Sequence, residues 1–332
     1  MNGRGVPPPP PLPAPRGVAG LACIVLGGGG FIGTNLCRAL LAGGARVRAF
    51  GRSQPFPEAL AGVEWTFGTL GGHDDLARVI DGAEVVFHLI GSGLPEASNR
   101  NPAANVSASI LATVHLLEVC RDCGVRRVVF ASSGGTVYGV TGRTPTPETA
   151  PTEPISAYGI NKLAIEKYLA LYRYLYDLDY VVLRIGNPYG PFQTALRRQG
   201  VIAAILRRAM TGQPLEIWGD GNVVRDFVHV TDVVEAMLAL LGYDGAHRIF
   251  NVGSGVGRSI NAVAADIERL LGAGKLPRNF QPAQWADVPA NVLDISLIRR
   301  EAGWAPRVPW LAGLSDTIDW LHDHENSLKS GC

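Results

Sequence analysis

The chain has 332 residues, enough for one large domain or two ordinary ones and for a substantial buried core. Thirty Lys and Arg against twenty-nine Asp and Glu leave a formal charge of +1, which argues against nucleic acid or an anionic membrane as the main partner. Lysine is scarce, present only at 162, 167, 275 and 329, and the five cysteines at 23, 37, 120, 123 and 332 have no framework spacing.

Seven of the first twenty residues are proline, so residues 1–20 read as an extended, solvated leader. This leader lacks the apolar core of a signal peptide, and together with the odd cysteine count that points to a reducing cytoplasm. Residues 17–37 carry no charge over 21 positions, long enough to cross a bilayer, but seven glycines, four of them consecutive, make a spanning helix costly. The pattern reads instead as a strand over Leu21–Leu26, a turn, and a helix over Phe31–Leu41. Further strands are expected at Arg46–Phe50, Val63–Phe67, Glu84–Ile90, Arg127–Ala131 and Tyr180–Ile185, with helices at Asn105–Cys120 and Ala157–Tyr176. Such alternation predicts an α/β fold over residues 21–185, a parallel sheet covered by helices on both faces.

Beyond residue 186 the texture changes to loops with helical patterns at Val201–Met210, Asp232–Leu241, Ile260–Leu271 and Trp310–His322. This half reads as too irregular to extend the same sheet. It is expected to form a smaller α/β substrate domain, 186–332, partly interleaved with the first. Cys120 and Cys123 make a CxxC, but no second pair or nearby His completes a zinc site, so no metal is expected.

The first strand runs directly into Gly27-Gly28-Gly29-Gly30-Phe31-Ile32-Gly33 and then a helix. A turn of this kind lets backbone N–H groups approach a pyrophosphate, and the helix N-terminus adds donors and a favourable dipole. Its place between the first strand and the first helix predicts dinucleotide binding. The second strand ends in Ala49-Phe50-Gly51-Arg52-Ser53, without the carboxylate that usually meets the adenosine ribose. Arg52 suits a 2′-phosphate, so NADP stands beside NAD as a cofactor; the alternative is a solvated turn arginine.

Tyr158 and Lys162 lie four residues apart near the start of a helix, on one face. With nine Tyr and four Lys in the chain, about 0.1 such pairs arise by chance. A nearby cation favours phenolate over phenol, which predicts a lowered Tyr158 pKa and a phenol able to accept a proton from a substrate hydroxyl. Hydroxyls of the loop 132–136 would face the same crevice.

Together GGGGFIG, SSGGTVYG, YGINK, LRIGNPYGP and RDFVHVTD resemble the extended short-chain dehydrogenase/reductases that act on nucleotide sugars, most closely the UDP-glucose 4-epimerase and sugar-epimerase/dehydratase group. The resemblance covers about residues 21–325. It implies a doubly wound (Rossmann) fold with a smaller C-terminal domain, a nucleotide-sugar substrate, and a homodimer packed through the Asn105 and Tyr158 helices. By the same resemblance Tyr158 is the catalytic base, and Lys162 holds the cofactor ribose and tunes the tyrosine. The cofactor set is then Gly27, Gly30, Phe31, Ile32, Gly33, Arg52, Leu70, Asn105 and Ser132, with Asn105 fixing the helix beside the nicotinamide. Ser92, Ser133, Asn187, Arg225 and Gln284 fall on the substrate side.

Two positions depart from the family pattern. The usual hydroxyl partner of the tyrosine is replaced by Gly134, so Ser133 or Thr136 must take its place, Ser133 being preferred. Where related enzymes carry an Arg before Asp287, this chain has Gln284, which binds a pyrophosphate without charge assistance. The leading expectation is an NAD-dependent C4 epimerase working through a 4-keto sugar. An NADPH-dependent ketosugar or carbonyl reductase is the alternative. A 4,6-dehydratase is disfavoured by the absence of an acid at 134–136, and a non-catalytic cofactor sensor by the retained Tyr158 and Lys162.

Overall fold

A computed structural model describes residues 17–70, 73–91, 95–194, 200–272, 274–282 and 288–330. Its first part alternates β1 (Ala22–Leu26), α1 (Phe31–Ala42), β2 (Arg46–Gly51), β3 (Glu64–Phe67), α2 (His73–Ile80) and β4 (Val85–His88). Next come α3 (Pro95–Arg100), α4 (Pro102–Val106), a π-helical turn (Ser107–Leu111), α5 (Ala112–Asp122), β5 (Arg127–Ser133), α6 (Ala157–Tyr176) and β6 (Asp179–Ile185). The inner strands β1, β4 and β5 are short and almost wholly buried, as expected when helices cover both faces of a parallel sheet, while β3 at the edge is largely exposed.

The second part contains β7 (Asn187–Tyr189), α7 (Val201–Met210), β8 (Leu215–Trp218), β9 (Val224–His229), α8 (Val230–Ala239), β10 (Ile249–Val252) and β11 (Gly257–Ser259). It closes with α9 (Ile260–Leu270), β12 (Arg278–Gln281), β13 (Ala290–Asn291), α10 (Ser296–Ala302) and α11 (Trp310–Ser330). Here the structure corrects an expectation. The second half does extend the main sheet, because β10 pairs in parallel with β6 and completes seven strands in the order β10-β6-β5-β4-β1-β2-β3. The four-residue Ile-Phe-Asn-Val run is too brief to announce itself by periodicity; Phe250 and Val252 are buried against α8 and α10 in the core of the first part.

One core cluster joins α1 and α8 across one face of the sheet, and another joins α2, α5 and α6 across the opposite face. A third lies in the second part, around α7, α9 and α11. The continuous helical stretch Pro102–Asp122 is long and apolar enough to span a bilayer, yet it lays Leu116, Leu117 and Val119 against the sheet as core. Strand order reverses between β1 and β4, and the crevice outside the carboxyl ends of such strands is where α/β folds bind ligands.

Candidate active site

A cleft of ≈1230 Å³ opens along those carboxyl ends. Its first wall is the glycine turn. Gly27 adopts φ +90°, open to glycine at little cost. A Cβ on Gly33 would strike the Gly27 carbonyl oxygen, and one on Gly28 would lie 2.6 Å from the Ala49 Cβ. These contacts let α1 begin tightly against β1. The first-turn N–H groups of Phe31 and Ile32 have no carbonyl four residues back within the helix, and no acidic side chain occupies that turn. Gly27, Gly30, Phe31, Ile32 and Gly33 all line the cleft, a cradle that fits a dinucleotide pyrophosphate.

Arg52 and Leu70 line the same end, Arg52 exposed beyond β2 and Leu70 half-buried beyond β3. The second strand presents no carboxylate there. Of the substrate-side residues, Ser92 and Gln284 lie outside the described residues.

At the middle of the cleft Tyr158 and Lys162 stand on the first turns of α6. The helix starts where it does because Ser156 caps it, accepting from the Gly159 N–H at 3.2 Å. From α3, Asn99 Oδ1 accepts from the Ala157 N–H at 2.8 Å and Ser98 Oγ accepts from the Tyr158 N–H at 3.0 Å. Gly159 permits close approach to the loop after β5, for a Cβ there would sit 2.7 Å from the Thr136 carbonyl oxygen. Lys162 is buried and donates from Nζ to the Ala131 carbonyl at 2.7 Å, with Nζ 5.7 Å from the Tyr158 ring centroid.

The expected lowering of the Tyr158 pKa is not what this geometry produces. Burial pushes the phenol up to about 12, and Lys162 addresses the end of β5 rather than the phenol. Burial also draws the Lys162 ammonium down to about 8, partly opposed by the charge of Glu166. Behind them His88 is buried, with Nε2 3.0 Å from Thr113 Oγ1, and burial together with the Lys162 charge pushes its imidazole down to about 3.

Three other expected residues take the following places. Asn105 is not a wall of the cleft; its Oδ1 accepts from Asn161 Nδ2 at 2.5 Å, tying the α4 end to α6, and Ala108 on the π-helical turn lines the cleft instead. Ser132 borders the cleft, but its hydroxyl points inward and donates to Glu166 Oε1 at 2.5 Å. Thr136 does not line the cleft, and its Oγ1 is buried without a partner among the described residues. Ser133 does line it, as Tyr158 does. Gly134 is held by its N–H to the Ile185 carbonyl at 2.8 Å and by its carbonyl to Asn291 Nδ2 at 2.9 Å.

The far wall comes from the second part. Asn187 on β7 and Arg225 on β9 both line the cleft, carried by adjoining strands of a small sheet. Asn187 Nδ2 donates to the Asp226 carbonyl at 3.3 Å, and Arg225 donates from Nη1 to the Val288 carbonyl at 2.6 Å. Asp226, wholly buried, anchors this region by accepting from the N–H groups of Ser254, Gly255 and Leu293. Sequence reasoning missed Ser98, Asn99, Asn161, Glu166 and Asp226. Ser156 immediately before an apolar helix was a readable cap; the others are long-range partners with no local signal.

A single cleft thus joins a dinucleotide cradle, a Tyr–Lys pair and a polar far wall. The model of the NAD dependent epimerase/dehydratase family matches residues 23–253. The chain belongs to this family. UDP-glucose 4-epimerase of Mycolicibacterium smegmatis is 35% identical over 308 residues, covering 90% of this chain and 98% of that protein. The crystal structure of UDP-glucose 4-epimerase from Thermotoga maritima with UDP-glucose superposes with a TM-score of 0.87 at 33% identity, covering 91% of this chain and 99% of that one. The enzyme of that name from Thermus thermophilus, in complex with NAD, gives a TM-score of 0.83 at 32% identity over 90% of this chain and 98% of its own. Family membership makes the chain an NAD-dependent enzyme of the epimerase/dehydratase type, and the glycine cradle of this structure fits that cofactor.

Proposed function

We propose that the protein is an NAD-dependent nucleotide-sugar epimerase that inverts C4 of a UDP-sugar through a transient 4-keto intermediate. The observation that carries this reading is that Tyr158 lines one cleft together with the glycine turn and with Asn187 and Arg225. When bound, NAD supplies the acceptor for the C4 hydride and returns it. Tyr158 takes the proton of the sugar 4-hydroxyl and gives it back, and the Lys162 ammonium, 5.7 Å from its ring centroid, is the cation held nearby. Ser133 takes the hydrogen-bonding role that Gly134 cannot fill. Asn187 and Arg225 meet the diphosphate, Arg225 with a charge-assisted bond.

An apolar stripe recurs on the outer face of α6 at Ile160, Tyr168, Leu171 and Leu175, beside exposed Val106 and Leu111. We assign it to a homodimer in which these helices pack against their copies. The thiols of Cys23, Cys37, Cys120 and Cys123 are all free, which suits a reducing cytoplasm.

The test incubates the protein with a panel of UDP-, GDP- and dTDP-sugars, following products by NMR and cofactor by absorbance. Interconversion at C4 with unchanged cofactor supports the reading. Stoichiometric loss of NADPH instead assigns a reductase, the outcome that exposed Arg52 would favour. Tyr158→Phe should lower turnover about 10²- to 10⁴-fold, the usual worth of a positioned proton acceptor.

A further inference from the structure

Behind the Tyr158–Lys162 pair lies a buried charge network that the proposed reaction leaves unused. Tyr158, Lys162 and Glu166 recur at intervals of four along one side of α6, and Glu166 is only 1% exposed. Its Oε1 accepts from Ser132 Oγ at 2.5 Å and from Arg184 Nε at 3.1 Å, while Oε2 accepts from Arg184 Nη2 at 2.7 Å. Ser132 directly follows Ala131, whose carbonyl receives the Lys162 ammonium at 2.7 Å. The carboxylate therefore grips, one residue away, the peptide that holds the lysine. Arg184 is held in turn over the Tyr138 ring at 4.8 Å, and Tyr138 donates to Asn251 Oδ1 at 2.7 Å.

We propose that Glu166 is a positioning residue for the Tyr158 site. It holds the end of β5 through Ser132 so that the Ala131 carbonyl receives Lys162, and it keeps a negative charge, paired with Arg184, one helical turn beyond Lys162. The idea rests on the reading of Lys162 as the partner of Tyr158, but the charge on Lys162 can be read without turnover.

The groups facing this network come from every surrounding element. On α6 they are Tyr158 and Lys162, on β6 Tyr180 and Arg184, in the loop after β5 Tyr138 and Glu148, and on β4 His88, which stays neutral behind Phe130. Glu166 and Glu148 are the anions of this set, and Glu166 carries the Arg184 ion pair. A buried cation from which a nearby anion is removed loses its proton more readily.

The test uses the full chain with lysine labelled at Cε, where four lysines make the NMR spectrum tractable. Lys162, identified by the signal lost in Lys162→Met, should titrate near 8 in the parent protein. Glu166→Gln should move that titration lower, because the carboxylate charge that favours the ammonium is then gone. The alkaline limb of kcat should move with it. Glu166→Gln/Arg184→Gln, which removes the ion pair whole and leaves no unpaired Arg184, should titrate as low as Glu166→Gln, and Ser132→Ala should lower kcat while leaving the titration near its parent value. If Glu166→Gln does not fold, the double variant is compared with the parent instead and should still titrate lower. A merely structural Glu166 would reduce thermal stability while Lys162 titration and the alkaline limb stay where they were, and that result overturns the proposal. Failure to turn over any nucleotide sugar would overturn the functional reading alone, and the lysine titration would still decide the role of Glu166.

Discussion

Replacing Gly134 with serine would restore the hydroxyl that the related enzymes carry, and the structure predicts that it fails. A Cβ at 134 would lie 2.6 Å from Leu293 Cδ1, 2.9 Å from Leu293 Cδ2 and 2.9 Å from the Arg184 carbonyl oxygen. Ordinary carbon contacts are about 3.5–4.0 Å, so the neighbours must give by most of an ångström. Neither gives easily. Leu293 is wholly buried with Val137 and Tyr138, and the Arg184 backbone is registered between β5 and β10 in the main sheet. Overpacking of this kind costs about 1–3 kcal/mol, which for a chain of this size lowers Tm by about 1–4 °C. Chemical and thermal unfolding would measure it. Because the strain comes from Cβ, Gly134→Ala should lose nearly as much as Gly134→Ser. Trimming Leu293 to Ala in the Gly134→Ser background should recover part of the loss, with a coupling of about 0.5–3 kcal/mol. A Gly134→Ser protein as stable as the parent, or one that rescues the turnover lost in Ser133→Ala, would refute the argument, since either means that position 134 admits a side chain reaching the sugar.

Gly33→Ala drives a Cβ onto backbone of the glycine turn, which no side-chain rotation relieves, and should weaken NAD binding at least about tenfold in a calorimetric or fluorescence titration. Lys162 titrates near 8 folded against 10.5 as a free side chain, so between these pH values the unfolded chain binds more protons and stability gains with rising pH. Lys162→Met should therefore be stabilised relative to the parent most below pH 8, with the difference shrinking toward pH 10.5 in urea titrations. Ile160→Glu places a charge in the exposed stripe of α6 and should shift the protein toward monomer in sedimentation experiments, with little change in Tm extrapolated to high dilution.

Where the chemistry is local, the sequence carries it. The glycine turn is one strand, one turn and one helix start, and its purpose is legible because close backbone approach requires glycine at specific positions. The Tyr158–Lys162 spacing follows from helical geometry alone. Less legible were features decided across distance. Asn105, expected to fix the helix beside the nicotinamide, ties the end of α4 to α6 through Asn161, and Ser132, expected at the cofactor, borders the cleft while its hydroxyl bonds Glu166. Ser133 was preferred to Thr136 on the local pattern, and it is the loop that separates them, turning one toward the cleft and the other into the packing.

By itself the sequence determined the alternating α/β plan, the place of the cofactor turn and the pairing of tyrosine with lysine, because each depends on residues within a few positions of one another. Tertiary structure alone brought β10 back from the second half to the edge of the main sheet, filled the space at Gly134 with Leu293, and closed Glu166, Ser132 and Arg184 behind Lys162. It also reversed the expected effect on Tyr158, since the desolvation that raises its pKa depends on packing around the phenol and not on the four-residue spacing to a cation. Contacts of this kind join residues far apart in the chain, and their energy comes from burial and directed hydrogen bonds that no local pattern encodes.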